Sequence, residues 1–289
     1  MKKLHAMAIA LAAASALPAW ASSGSQASIG PIAVTVYDLN LTDGITSSVT
    51  FSPNNKAEDT AVVANTFQPK LNLQDRYVSL GDHPWDTLSE SAHTPLAWAT
   101  ASLTGATSAT PIGAQLSIAG GAQTPAPSAN YLFDYALYES FSTVYDTSFT
   151  LSANSKVTFS ALVSIAGYAD NRANIFRDGD SAFALATLDL TGIGINGTGI
   201  QRSYSGLSET TYGSYAGNRT SFSFERLVNV SFENQTDHDL AGSITVLSWI
   251  QGRSYAIAAA PVPEPETYAL FLSGLGLVGW AARRRKKSL

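Results

Sequence analysis

The chain has 289 residues, 13% of them charged, and a formal net charge of −5. It contains no cysteine, which excludes a disulfide framework, a thiolate metal site and a cysteine nucleophile. Between Ser22 and Val262 stand 20 acidic and 10 basic residues. A surface this acidic repels nucleic acid and anionic lipid, and would repel an acidic polysaccharide unless divalent cations bridged the two.

The first 21 residues read as a secretory signal helix. Lys2 and Lys3 precede an apolar run from Leu4 to Leu17, too short for a comfortable membrane span, and Ala19-Trp20-Ala21 supplies a small–x–small cleavage pattern ending at Ala21. The middle of the chain, residues 22–261, is poor in Lys, Glu and Met and rich in Ser, Thr, Ala, Gly and aromatics, a composition suited to strands. Early strands are expected at Ile32–Leu41, Ser48–Ser52, Ala61–Phe67 and Gln115–Ala119. The stretch around that last strand, TSATPIGAQLSIAGGAQTPAPSAN, reads mostly as loop. ANYLFDYALYESF is the one segment with a debatable helical period.

Further on, Val157, Phe159, Ala161, Val163 and Ile165 alternate with polar or solvent-side residues. Phe222 and Phe224, then Val228, Val230 and Phe232, alternate in the same way. Period two over such lengths marks strands with one buried face. Ala153–Lys156 and Asn234–Asp239 interrupt these runs and are read as hairpin turns. Many short strands with frequent turns give the expected fold, an all-β antiparallel β-sandwich of jelly-roll type in one domain.

Several stretches resemble chemical motifs. Gly192-Ile-Gly194-Ile-Asn-Gly197 spells a dinucleotide fingerprint, but no helical pattern follows, so glycines in a strand or loop are expected. His83 and His93 lie near Asp82, Asp86 and Glu90 in a spacing that matches no defined zinc set, and a polar loop is expected. Asp178-Gly179-Asp180 reads as a turn, with a calcium-binding turn as the alternative. Tyr204, Tyr212 and Tyr215 sit in a Gly/Ser-rich stretch, either folded against a sheet edge or exposed to a sugar or protein. The sequons at Asn196, Asn218 and Asn234 are expected to be incidental, and the absence of G-x-S-x-G removes the strongest hydrolase cue.

Residues 262–289 close the chain. Pro263-Glu264-Pro265 is followed by the uncharged stretch Tyr268–Ala282 and then by Arg283, Arg284, Arg285, Lys286 and Lys287. As a helix, Tyr268–Ala282 would cover about 22 Å, less than the roughly 30 Å of a hydrocarbon core, so it is a strained transmembrane helix. The basic cluster is expected to stay cytoplasmic as a stop-transfer signal, leaving the acidic domain outside. The two prolines keep the segment before the helix extended and open to a protease.

This order of parts, together with Thr267-Tyr268-Ala269-Leu270 and the GLGLVGW stretch, resembles the PEP-CTERM sorting signal of Gram-negative bacteria. The resemblance implies processing by exosortase, a membrane-embedded transpeptidase-like enzyme, with Pro263, Glu264 and Pro265 as the sorting motif. It also implies transient anchoring in the inner membrane, then a cell-surface or extracellular location in association with exopolysaccharide or biofilm. The expected function is therefore that of a non-enzymatic, cofactor-free envelope or matrix protein. A carbohydrate- or calcium-binding sandwich is the alternative, and a secreted hydrolase the third reading.

Overall fold

A computed structural model describes residues 21–52, 59–68, 71–80, 87–104, 110–124, 133–170, 179–213 and 219–257. Every regular element among them is a strand: β1 (Ala21–Ile29), β2 (Ala33–Asp38), β3 (Val49–Phe51), β4 (Asp59–Gln68), β5 (Leu71–Leu80), β6 (Leu88–His93), β7 (Ala97–Thr104), β8 (Gln115–Thr124), β9 (Phe133–Leu151), β10 (Ser155–Ala169), β11 (Ser181–Ile193), β12 (Ile200–Tyr212), β13 (Thr220–Asn234) and β14 (Leu240–Ile257). The strands form two antiparallel sheets of seven, packed as a sandwich. The all-β expectation holds. The expected signal helix and transmembrane helix lie outside the described residues, as do Pro263–Pro265 and the basic end.

The first sheet runs β13-β10-β1-β8-β7-β6, with β2 added on β10; the second runs β12-β11-β14-β9-β4-β5, with β3 added on β9. β1 therefore sits mid-sheet, pairing Ser23–Ile29 with Val163–Ala169 on one side and Ala21–Ile29 with Leu116–Thr124 on the other. The period-two runs dictate which side is buried. Val157, Phe159, Ala161, Val163 and Ile165 of β10 all point into the core, and so do Val228, Val230 and Phe232 of β13.

The core is uneven along its length. Towards one end Phe149 packs against Phe159 and Phe232 at ring separations of 5.7 and 5.5 Å, with Phe51 beside them. Elsewhere Ile, Leu and Val side chains such as Leu103, Leu116 and Ile118 share the interior with alanines and with several paired hydroxyls. Ser25 and Tyr138 share a 2.8 Å hydrogen bond, Thr66 meets Thr94 at 2.7 Å and Thr124 meets Ser254 at 2.9 Å. Tyr138 is fully buried, and burial pushes its phenol pKa up despite the Ser25 hydrogen bond. Its ring fits because glycine lies beneath it: a Cβ on Gly120 or Gly252 would come within 2.4 or 2.2 Å of it.

Two expected hairpins are instead crossovers. β9 and β10, either side of Ala153-Asn154, belong to opposite sheets, and so do β13 and β14, either side of Gln235–Asp239. The reason is burial at the corner, where Ala153, Ser155 and Asn234 are enclosed. The Nδ2 group of Asn234 donates to the carbonyls of Leu151, Ser152 and His238 at 3.2, 2.9 and 2.8 Å, lacing one corner to the other. Of the debatable segment ANYLFDYALYESF, residues 133–141 are strand, the start of β9, and residues 129–132 lie outside the described residues. β8 is twice the expected length, because a strand carries Gly120 and Gly121 where aromatic rings cover them.

Candidate functional site

The outward face of the second sheet carries the most organised surface among the described residues. Strand register places its side chains in rows that cross the strands. One row reads Gln74, Asn65, Leu137, Arg253, Ser181 and Tyr212, from β5 to β12. The next reads Arg76, Val63, Glu139, Gln251, Phe183 and Thr210. Tyr135 and Tyr255 pair on the outer side of the first row, and Phe141 and Trp249 pair on the outer side of the second. A lane that mixes hydrogen-bonding groups with Leu137, Val63 and Phe183 thus runs across the sheet, between aromatic pairs where it crosses β9 and β14.

Two depressions occupy this lane. One of about 640 Å³ is lined by Tyr135, Phe183, Tyr212, Trp249, Gln251, Arg253 and Tyr255, among others. The other, about 530 Å³, is lined by Val63, Asn65, Gln74, Arg76, Glu139 and Phe141, and the two share Leu137.

The margins are held in place. Phe183 meets Trp249 edge-on at 5.0 Å, and the indole Nε1 donates to Glu139 at 3.1 Å. Tyr135 and Tyr255 lie 5.8 Å apart, and the Arg253 guanidinium stands 5.4 Å over the Tyr255 ring. Asn65 contributes a different feature: its Oδ1 is buried and has no hydrogen-bond partner among the described residues. A buried acceptor left without a donor is destabilising, which makes it unusual in a folded protein.

The opposite outer face, on the first sheet, carries a smaller aromatic feature. Trp98 lies across Gly121 and Tyr168 across Gly24, two glycines that face each other in the β1–β8 register. Arg219 covers the Tyr168 ring at 4.3 Å and forms a two-pronged ion pair with Asp170, which also accepts from the Ser22 hydroxyl. Burial opposes the charge of Asp170, but the hydrogen bonds from Arg219 and Ser22 outweigh it and hold its pKa below the ordinary value.

The sequence-marked residues fall as follows. Ala21 is the first residue of β1. The glycine fingerprint is a hairpin: Gly192 is the last residue but one of β11, and Gly197 and Gly199 adopt φ of 73° and 74° in the turn to β12. Asp180 is enclosed, and its Oδ1 accepts from the Tyr255 amide at 2.8 Å, while Asp178 lies outside the described residues. His93 ends β6, and its amide donates to Asp75 at 2.7 Å; His83, Asp82 and Asp86 lie outside the described residues.

Tyr204 and Tyr212 are exposed on strand β12, and Tyr215 lies outside the described residues. Asn234 is buried, which closes that sequon, while Asn196 is exposed in the β11–β12 turn and Asn218 lies outside the described residues. Of the two marked tyrosines among the described residues, Tyr212 reaches the lane and Tyr204 does not. Trp249, Gln251, Arg253 and Tyr255 were not singled out, although their alternation in WIQGRSY signals one shared face.

Residues 261–286 match the model of the PEP-CTERM protein-sorting motif, the segment in which the resemblance was found. The protein is thus a carrier of that signal: exported, anchored transiently by its C-terminal tail and handled by exosortase. No curated protein matches the chain. Among solved structures, one from a study titled for the promiscuous specificity of carbohydrate-binding modules of the β-sandwich superfamily aligns at 7% identity and a TM-score of 0.12, covering 75% of this chain and 98% of its own.

Proposed function

We propose that the sandwich is a non-enzymatic envelope or extracellular-matrix protein that its tail delivers to the cell surface, where it associates with exopolysaccharide. The observation that supports this is the sorting signal at residues 261–286, placed directly after a sandwich whose last strand ends at Ile257. A short apolar stretch followed by five basic residues holds the chain in the inner membrane. Pro263-Glu264-Pro265, the sorting motif ahead of that stretch, is then the segment on which a membrane-embedded enzyme acts.

The test follows the C-terminus by mass spectrometry. In the native host the released protein is expected to lack Arg283–Leu289 and to fractionate with the polysaccharide matrix. In a host without exosortase the full tail stays in the inner membrane. Replacing Pro263, Glu264 and Pro265 by alanine traps the longer form in the native host too. An intact basic end on protein released by native cells refutes the proposal.

A further inference from the structure

We propose that the lane across the second sheet binds an extended, uncharged glycan chain, laid across the strands from β5 towards β12. This deepens the envelope reading by naming a ligand class and its site, and it rests on that reading only for the source of the glycan.

Three observations converge on it. A sugar ring presents apolar C–H faces and a rim of hydroxyls, so a site for it needs aromatic surfaces beside groups that both donate and accept. The lane has this order: Tyr255 and Trp249 mark its margins, and Gln74, Asn65, Gln251 and Ser181 lie between. Secondly, Asn65 lines the lane and its Oδ1 has no hydrogen-bond partner among the described residues; the atom is enclosed, and a turn of the side chain about χ2 presents it to a ligand hydroxyl.

The third observation is charge. Arg76 and Glu139 line the same depression, Glu139 accepts from the Trp249 indole, and Arg253 lies over Tyr255. The lane's named charges are two arginines and one glutamate, and the domain around them has twice as many acidic as basic residues, so a long polyanion is repelled by the surroundings of the lane. Six strands at about 4.8 Å spacing give a lane of roughly 24 Å, long enough for several sugars, so binding should strengthen with chain length.

The experiment uses the full chain in a polyoxyethylene detergent, run in native gels that contain galactomannan, xyloglucan or hydroxyethylcellulose, with pectate as the polyanion. Retardation by at least one neutral polymer, unchanged by added salt, is expected. Trp249→Ala should weaken it by about tenfold. Tyr212→Ala and Gln251→Ala, at exposed positions that do not hold the fold, should each weaken it measurably.

Asn65→Ala separates a binding role from a structural one. It removes an unsatisfied acceptor, so the melting temperature should hold or rise while retardation falls. Three results overturn the proposal: no retardation by any neutral polymer, retardation by pectate alone that salt abolishes, or lane variants that migrate like the parent in every gel. Each of these leaves the envelope reading intact if the protein still reaches the matrix fraction. Retention of the parent in the inner membrane of the native host would sink the envelope reading and leave the gel result standing.

Discussion

Asp170 shows how a single residue fastens the start of β1. It follows the last residue of β10, its amide donating to the Ser22 carbonyl at 2.9 Å just past the β1–β10 ladder, while its carboxylate takes the Ser22 hydroxyl and the Arg219 fork. Its pKa is lowered on folding, and that sign sets the pH behaviour. A carboxylate depressed in the folded state contributes stability above its unfolded value of about 3.9 and loses it as the pH falls through the folded value. Asp170→Asn removes the titrating group. The urea midpoint of the parent should therefore drop more steeply than that of the variant below about pH 4, with their separation greatest near neutrality. Parallel curves across the acid range would show that the ion pair is too well solvated to matter.

At the scale of elements, the strands were legible and their connections were not. Alternation in β10 and β13 could be read directly because one buried face imposes period two, and the structure buries the residues so marked. The turns at 153–156 and 234–239 misled because Asn, Ser and Asp serve a tight hairpin and a sheet-to-sheet corner equally well. Asn154 with φ of 48° suits either. What decides between them is a long-range contact invisible in a linear reading, the Asn234 side chain reaching Leu151 and Ser152.

The lane was half legible for a similar reason. Trp249 to Tyr255 alternate in plain view, but Tyr135 and Phe183 join them only through cross-strand register. Asn234 provides the test at this scale. Asn234→Asp keeps shape and the acceptor for the Thr236 amide but cannot donate, leaving the corner carbonyls unmatched. It should cost about 3 kcal/mol, roughly 10 °C in melting temperature for a domain of this size. A variant that melts with the parent would mean the corners hold without the lacing.

For the molecule as a whole, the order of strands decides what export must achieve. β1 begins at Ala21, where the signal segment was expected to end, yet it occupies the interior of the first sheet with partners near residues 116–124 and 163–169. The sheet therefore cannot close until well over half of the chain has emerged on the far side of the membrane. Such non-local pairing is intrinsically slow, which keeps the translocating chain unfolded while it is threaded. The same architecture makes the first strand indispensable. Deleting residues 22–29 would strip hydrogen-bond partners from the facing edges of both β8 and β10, split the first sheet, and uncover Ile118 and Ile165. Such a deletion should abolish the cooperative thermal transition altogether, whereas a strand at the margin, such as β6, should be lost with only a lowered midpoint. Differential scanning calorimetry of the two deletions decides it, and a surviving sharp transition without β1 would show that the first sheet can close around the gap.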